Sequence, residues 1–292
     1  MFQLGVLRTL LRECFTTERS VRVPEPKLIM DDPEQVRAYT RAGREDSIMA
    51  PTFLFHCAQM CEIIRSGETV LDLACGPATQ LGLVARLNPE THFIGLDFSA
   101  EMLDKARAYV EELDLNNVEL CHGNMTDLRD FDDNSVDVVV STMSLHHLPD
   151  VEHLEATFAE IRRILKPSGG LYLADFAHLK SEKSIHFVAN QHHNRQPALF
   201  TVDYLNSLRA AFYLKDLQRL TADYLASYGR LFAMYPVPLM VAIKSPIRSG
   251  NKSHLTQELQ NLREKLPAPE KANLRDMLKL FSMGGLRSDL LI

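Results

Sequence analysis

The stretch "VLDLACGPATQ", residues 70–80, contains residue types that suggest ligand chemistry. A short apolar run carrying Asp72 leads to Gly76, where the backbone can approach a ligand closely, and to Pro77, which stiffens the entry to a helix. Neither G-x-G-x-x-G nor G-x-x-x-x-G-K-[ST] occurs in the chain, and pyrophosphate-binding and phosphate loops depend on such patterns. The loop therefore predicts a nucleoside-like ligand without a pyrophosphate.

A carboxylate follows this loop at the spacing expected for ribose binding. Asp97 ends the apolar stretch "HFIGLD", about 20 residues after Gly76. It can accept hydrogen bonds from both ribose hydroxyls, which are costly to bury unpaired. Phe98 offers a flat apolar face for a base, and Asn124 and Met125 are placed to border the same base.

Titratable residues follow two later strands. His146 and His147 come after "VDVVVSTMS" in the stretch "LHHLPD". One of them could act as a general base near neutral pH, and the alternative is that both only line a wall. Asp175 ends "LYLADF" and is expected either to bind a substrate amine or to serve as a structural cap.

The stretch "QHHNRQ" lies in a polar, His-rich segment, about 177–200, and is a candidate for substrate contacts. Its Arg195 could clamp a carboxylate, and a solvated polar loop is the alternative. The substrate candidates are His192, His193, Asn194 and Arg195.

Five scattered cysteines indicate a reducing compartment rather than a disulfide framework. Cys75 could be a reactive thiol at a helix N-terminus, but a lining role is preferred. Cys57 and Cys61 have helical spacing and, with Cys121, could form a thiol triad. Two ligands are too few for a structural zinc site, so core packing is preferred and no metal is expected.

Strands and helices must position these residues, and they alternate five times over residues 68–176. The strands "TVLDLA", "HFIGLDF", "VELCHGN", "VDVVVSTMS" and "LYLADF" are short, and several are continuously apolar, as in a sheet buried on both faces. The pattern predicts an α/β fold with a doubly wound parallel sheet. Ligands of such sheets bind at the carboxyl ends of the strands, where the candidate residues lie.

The flanking segments favour helical additions. We predict a helical lid over 1–66, a catalytic domain over 67–246 with an insertion at about 177–200, and a helical tail over 247–292. Beyond residue 200 the sequence predicts a helix in "TVDYLNSLRAAF" and strands in "YLKDLQRL" and "PLMVAIKS". The tail is predicted to begin with the loop "SPIRSGNKS", residues 245–253, and to continue as two helices.

Composition and charge limit the classes of protein to which the chain can belong. The chain has 292 residues, 46% of them hydrophobic, and a net charge of −6, which argues against non-specific polyanion binding. No apolar run approaches the roughly 18–20 residues that span a bilayer, and no signal peptide is evident. We therefore expect a soluble, cytoplasmic protein.

In order along the chain, five motifs resemble those of class I S-adenosylmethionine-dependent methyltransferases. They are "VLDLACGPAT", "FIGLDFSAEMLDKAR", "VELCHGNMTDL", "VDVVVSTMSLHHLPD" and "EIRRILKPSGGLYLADF". The resemblance implies a Rossmann-like, seven-stranded sheet with its last strand antiparallel. It also implies S-adenosyl-L-methionine as cofactor and S-adenosyl-L-homocysteine as product.

The resemblance assigns cofactor contacts by position. Asp72, Ala74, Gly76 and Ala78 would line the methionine moiety, and Ser141 would lie beside the amino group. Asp97 would hold the ribose, while Phe98, Asn124 and Met125 would surround the adenine. Tyr39 of the lid would reach the cofactor's carboxylate. The chain departs from the family at Ala78, usually a glycine, and at Asn124, usually an acid.

The expected function is methyl transfer to an N, O, S or C nucleophile of a small-molecule acceptor, without membrane or nucleic-acid partners. One alternative uses the cofactor's aminocarboxypropyl arm and releases methylthioadenosine. An RNA methyltransferase and a non-catalytic binding protein on the same fold are further alternatives. The terminal helical additions could form a lid or the interface of a homodimer.

Overall fold

Seven strands form one sheet in the part of the chain that the computed structural model describes, residues 4–27, 29–46, 48–248 and 253–291. The strands are β1 (Thr69–Leu73), β2 (His92–Asp97), β3 (Val118–His122), β4 (Val136–Thr142), β5 (Leu165–Phe176), β6 (Arg230–Ala233) and β7 (Met240–Lys244). Their order is β3-β2-β1-β4-β5-β7-β6, and β7 runs antiparallel to β5 and β6. The predicted doubly wound, mostly parallel sheet is confirmed.

The helices precede, cover and follow this sheet. They are α1 (Leu4–Phe15), α2 (Pro33–Arg44), α3 (Ala50–Cys61), α4 (Thr79–Leu87), α5 (Ala100–Glu112), α6 (Val151–Ile164), α7 (Glu182–Asn190), α8 (Ala198–Ala210), α9 (Leu214–Leu220), α10 (Ser253–Lys265) and α11 (Ala268–Met283). Residues 1–3 of the predicted lid, and residues 249–252 of the predicted loop 245–253, lie outside the described residues.

The central strands are buried on both faces. In β4, Val138 and Val140 belong to one apolar cluster, packed with α3, α4 and α5, while Val139 belongs to a second cluster, packed with α6 and α9. Successive side chains of a strand point to opposite faces. The continuous apolar run of this strand therefore packs into both apolar clusters. This packing fixes the position of the strand and of the loop at its carboxyl end.

The prediction of a strand at "YLKDLQRL" is wrong, because this segment forms the helix α9. Leu214, Leu217 and Leu220 recur every three residues, and the last two are buried in the second apolar cluster. This helical spacing places them on one face. The sixth strand instead lies later, at β6.

A buried carboxylate ties the end of α3 to β7 and to the C-terminal segment. Glu62 forms an ion pair with Lys244 and accepts hydrogen bonds from Ser288 Oγ at 2.8 Å and from the backbone N of Asp289 at 2.7 Å. Lys244 Nζ also donates to Gln59 Oε1 at 2.6 Å. Burial lowers the pKa of Lys244, and the charge of Glu62 opposes that effect. Each of these two buried charges therefore depends on the other for compensation.

We expect Lys244→Met to lower the free energy of unfolding by about 3–5 kcal/mol, because it leaves the Glu62 charge buried without its cation. Urea unfolding followed by circular dichroism measures the change. Lys166→Met is the matched control: Lys166 pairs with Asp137 but is 41% exposed, and such pairs contribute about 0–1 kcal/mol. Equal losses in the two variants would contradict this account.

Candidate functional site

A cavity of about 280 Å³ opens where the carboxyl ends of the parallel strands meet. This size approaches the range of small-molecule pockets, roughly 300–1,000 Å³. The loops after β1 to β4 contribute to its wall, together with residues of α2 and α8. Eleven residues that the sequence singled out line it: Tyr39, Asp72, Ala74, Cys75, Gly76, Asp97, Phe98, Asn124, Met125, His146 and His147.

Asp97 connects the first two loops. Its Oδ2 accepts a hydrogen bond from Gly76 N at 2.7 Å, and its Oδ1 accepts one from Ser99 N at 2.8 Å. Ser99 Oγ in turn donates to Met30 O at 2.9 Å, in the segment before α2. Burial raises the pKa of Asp97, against the opposing effect of these backbone hydrogen bonds. The carboxylate is thus held rigidly at the wall of the cavity.

Asp72 is a second buried carboxyl group on the wall, only 4% exposed. Burial, and then the nearby charge of Asp97, raise the pKa of Asp72 to about 8. A cation bound between these two acids would favour the ionised form of both. S-adenosylmethionine carries a sulfonium and an ammonium group, so this acidic lining fits the cofactor that the motifs imply.

The loop after β1 reaches its shape through left-handed backbone conformations. Ala74, Gly76 and Ala78 have φ of 59°, 55° and 61°. An L-residue pays roughly 1–2 kcal/mol for this conformation, whereas glycine does not. This explains why a glycine would suit position 78. Ala78 is fully buried at the start of α4 and lies outside the cavity lining, although a contact with the cofactor was predicted.

Ser141 also lies behind the wall rather than on it. It is fully buried, its Oγ donates to Leu73 O at 2.6 Å, and it shares a hydrogen bond of 2.5 Å with Ser144 Oγ. Ser144 lines the cavity. The hydroxyl presented to a ligand there is therefore that of Ser144, which the sequence did not single out.

His146 and Asp175 form a buried pair. His146 Nδ1 lies 2.7 Å from Asp175 Oδ1, and Asp175 Oδ2 accepts a hydrogen bond from His146 N at 2.9 Å. Burial by itself would lower the pKa of His146, but the charge and hydrogen bond of Asp175 outweigh it and raise that pKa. Burial would raise the pKa of Asp175, and His146 reverses this shift. Asp175 lies outside the lining and orients the imidazole.

His147 differs from its neighbour although their ring centroids are only 4.4 Å apart. Burial, and then the charge of His146, lower the pKa of His147 to about 3. Its imidazole is therefore neutral at physiological pH. The two adjacent histidines thus present different hydrogen-bonding characters to the same cavity.

The four predicted substrate residues after α7 are not part of this cavity's described lining. Arg195 forms an ion pair with Glu270 of α11, which is almost fully buried. His193 Nδ1 lies 2.8 Å from Asn190 O. The Arg195–Glu270 pair holds the segment after α7 to α11, whereas the His193 contact is local. A substrate role for His192, His193, Asn194 and Arg195 stays a prediction.

Helix α8 supplies wall residues that the sequence analysis missed, namely Phe200, Asp203, Tyr204 and Ser207. Phe200 and Tyr204, like Asp203 and Ser207, are four positions apart, which is the spacing of one helix face. Asp203 is 9% exposed and accepts a hydrogen bond from Gln35 Nε2 at 3.1 Å. Its Oδ2 has no hydrogen-bond partner among the described residues.

Aromatic rings form a continuous series along the wall. Neighbouring ring centroids lie 4.4–6.4 Å apart, within or near the usual range for aromatic pairs. The series runs through His147, His146, Phe176, Tyr204, Phe200 and Tyr39, all of which line the cavity. It joins the loops at the strand ends to the helices α8 and α2.

Comparison with known proteins places the chain among methyltransferases. A family model described as "Methyltransferase domain" matches residues 64–219, more than half of the chain. A demethylmenaquinone methyltransferase of Listeria welshimeri is 42% identical over 113 residues, 38% of this chain and 46% of the relative. One of Bacillus cereus is 36% identical over 107 residues, 36% of this chain and 44% of the relative. The chain thus spans less than half the length of these relatives.

The solved structures agree on the fold. An O-methyltransferase family protein of Burkholderia thailandensis matches with a TM-score of 0.53 and 18% identity, covering 77% of this chain and 66% of that one. At this identity the likeness supports the architecture alone. Among the described residues, none of the helices is long and apolar enough to cross a membrane.

We expect binding of S-adenosylmethionine at pH 7 to release about one proton, because Asp72 is protonated below its pKa of about 8 and a bound cation favours its ionised form. Calorimetry in two buffers with different ionisation enthalpies measures the release. Asp72→Asn should remove most of it. An equal release from the variant would show that another group titrates.

We expect Asp97→Ala to weaken S-adenosylmethionine binding by at least about tenfold, because each lost hydrogen bond to a charged acceptor contributes about 1.5–3 kcal/mol. Isothermal titration calorimetry measures the dissociation constant, and thermal unfolding checks that the loops still fold. Asp132→Ala, at an exposed acid, is the matched control. Unchanged binding in Asp97→Ala would contradict the ribose assignment.

Proposed function

Because this chain belongs to the S-adenosylmethionine-dependent methyltransferases, we propose that it transfers a methyl group to a small, apolar acceptor containing an aromatic or quinoid ring. The matched residues 64–219 include the loops after β1 to β5, so the family match supports the cofactor and the reaction class. The acceptor is argued from the parts of the cavity that the cofactor loops do not form.

The series of rings from His147 to Tyr39 is the observation that carries this proposal. Flat rings pack well against aromatic side chains in offset or edge-to-face arrangements, with about 0.5–1.5 kcal/mol per pair beyond the burial of area. Met30, Met49 and Met143 also line the cavity, and flexible methionines adapt to irregular apolar ligands. The wall therefore favours a ring compound over a strongly polar metabolite.

Polar groups on the same wall suit a hydroxyl on that ring. The unpaired Oδ2 of Asp203 is buried, and a buried acceptor without a partner costs about 1–3 kcal/mol. An acceptor hydroxyl would supply the missing donor. The imidazoles of His146 and His147 line the cavity as well. An acceptor ring with two hydroxyls could therefore bond to Asp203 through one and to a histidine through the other.

When bound, S-adenosylmethionine supplies an electrophilic methyl carbon on its sulfonium. Asp72 and Asp97 would hold its positive groups and its ribose, and Asn124 and Met125 would border its base. The chain's main contribution would be to align the acceptor with that carbon and to exclude water, which lowers the barrier without a strong base. Each transfer replaces one acceptor hydrogen by a methyl group and releases one proton.

The names of the relatives agree with this acceptor class. The Listeria and Bacillus proteins are demethylmenaquinone methyltransferases, and a demethylmenaquinone contains a quinoid ring. Their similarity covers less than half of their length, so they support a ring acceptor rather than one particular compound. A reduced demethylmenaquinone with a short side chain is accordingly the first acceptor to test.

We expect the protein to convert S-adenosylmethionine and this reduced quinone to S-adenosylhomocysteine and a product heavier by one methylene unit. Liquid chromatography with mass spectrometry detects both products. Asp203→Asn should lower kcat/KM for the acceptor by about tenfold, the loss of one charged hydrogen bond, and leave cofactor affinity within about twofold.

Asp132→Asn, at an exposed acid, is the matched control for that substitution. Methylthioadenosine as the product would overturn methyl transfer and favour use of the aminocarboxypropyl arm. Turnover of non-aromatic amines at a higher rate than any ring compound would overturn the acceptor class.

A further inference from the structure

Three side chains of types that commonly bind metal ions lie close together beside the part of the cavity lined by His146 and His147. Glu25, His146 and His147 each offer one ligand atom, and these atoms all lie within 4.8 Å of one another. His146 is buried, and the other two are partly buried. In a zinc site with bonds of about 2.0–2.1 Å the ligand atoms lie roughly 3.3 Å apart. Small side-chain rotations would bring these three to that spacing.

Asp175 prepares His146 for such a role. The hydrogen bond between His146 Nδ1 and Asp175 Oδ1 leaves the Nε2 atom of the imidazole as the one available to a metal. A carboxylate that holds the far nitrogen of a histidine is the usual support of a metal ligand, because it fixes the tautomer and the ring orientation. His147 follows on the same short 3₁₀ turn, Leu145–His147.

The linker before α2 brings Glu25 to the histidines. The Arg22 guanidinium donates to Leu148 O at 2.5 Å, Pro149 O at 2.6 Å and Ala210 O at 2.7 Å. These bonds fasten the linker to the loop that follows the two histidines and to the end of α8. Ser207 Oγ then donates to Glu25 Oε1 at 3.0 Å, so the carboxylate is held in one orientation.

The charges around the cluster suit a divalent cation. Glu25 and Asp175 supply two carboxylates next to the two imidazoles, and Asp203 adds a third on the adjoining wall. The Arg22 charge is solvated by the backbone carbonyl oxygens to which it donates. Buried carboxylates are stabilised when they are paired or bound to a metal, so an ion here would compensate charges that otherwise lie close together.

We propose that Glu25, His146 and His147 form a binding site for a divalent first-row transition metal ion, with Zn²⁺ as the representative ion. Two imidazoles and one carboxylate are a ligand set that such ions favour. Three protein ligands leave a coordination position open, as in catalytic sites. His146 and His147 line the cavity, so the open position would be available to an oxygen atom of an acceptor.

The test measures metal binding directly and needs no acceptor. Protein stripped with a chelator is titrated with Zn²⁺ by calorimetry, and metal content is measured after dialysis. We expect one Zn²⁺ per chain, with affinity lowered at least about tenfold by Glu25→Gln and by His147→Asn, and about 10–100-fold by Asp175→Asn. Co²⁺ provides a second probe, because its visible absorption bands should appear with the wild type and be lost with His147→Asn.

Two matched controls lie outside the cluster. Asp132→Asn makes the acid-to-amide change at an exposed carboxylate, and His193→Asn makes the imidazole-to-amide change at a histidine bonded to Asn190 O. Both should keep wild-type Zn²⁺ affinity within about twofold. Thermal unfolding in chelator checks that every variant is folded.

Failure to retain Zn²⁺ or to develop the Co²⁺ spectrum would overturn the metal site, as would binding that Glu25→Gln and His147→Asn leave unchanged. This inference goes beyond the proposed acceptor and can fail separately from it. Loss of the metal site with intact S-adenosylmethionine binding and ring methylation would leave the proposed function standing. Metal binding without methylation would support the metal site and overturn the proposed function.

Discussion

The hydrogen bonds that Asp97 accepts are the constraint on which the shape of the cavity depends. One carboxylate holds Gly76 N after β1 and Ser99 N after β2, and Ser99 extends the link to Met30 O of the N-terminal segment. Parallel strands end at one edge of the sheet, so their loops can share a side chain only there. Burial also raises the pKa of Asp97 and that of Asp72, so a cation bound between them would favour the ionised form of both.

The segments outside the repeating strand–helix units complete the wall of this pocket. Helix α2 supplies Tyr39, and helix α8 supplies Phe200, Asp203 and Tyr204. The linker between α1 and α2 places Glu25 close to His146 and His147. No residue of α2, α8 or this linker belongs to the five motifs that carry the family resemblance. The family motifs therefore lie in the sheet and its loops, while the proposed acceptor wall is built by the additions, as expected when function resides in sites built on a shared fold.

Two adjacent histidines show how strongly position decides chemistry. Asp175 raises the pKa of His146 against the effect of burial, whereas burial and the charge of His146 lower the pKa of His147 to about 3. The difference arises because a side chain from the end of β5 reaches one ring and not the other. The sequence "LHHLPD" contains both residues but carries no information about which of them Asp175 contacts.

The sequence by itself determined the elements whose signals are local. Continuous apolar runs predicted the strands, because a strand's burial is visible in neighbouring residues. The spacing between Gly76 and Asp97 likewise predicted that the two residues belong to one site. The strand prediction for "YLKDLQRL" is wrong although Leu214, Leu217 and Leu220 have helical spacing. Only the tertiary structure decided which residues meet across long separations: Glu25 with Ser207, Gln35 with Asp203, and Arg195 with Glu270. Such pairs form through packing and burial, which depend on how the whole chain closes around the sheet rather than on any short stretch of it.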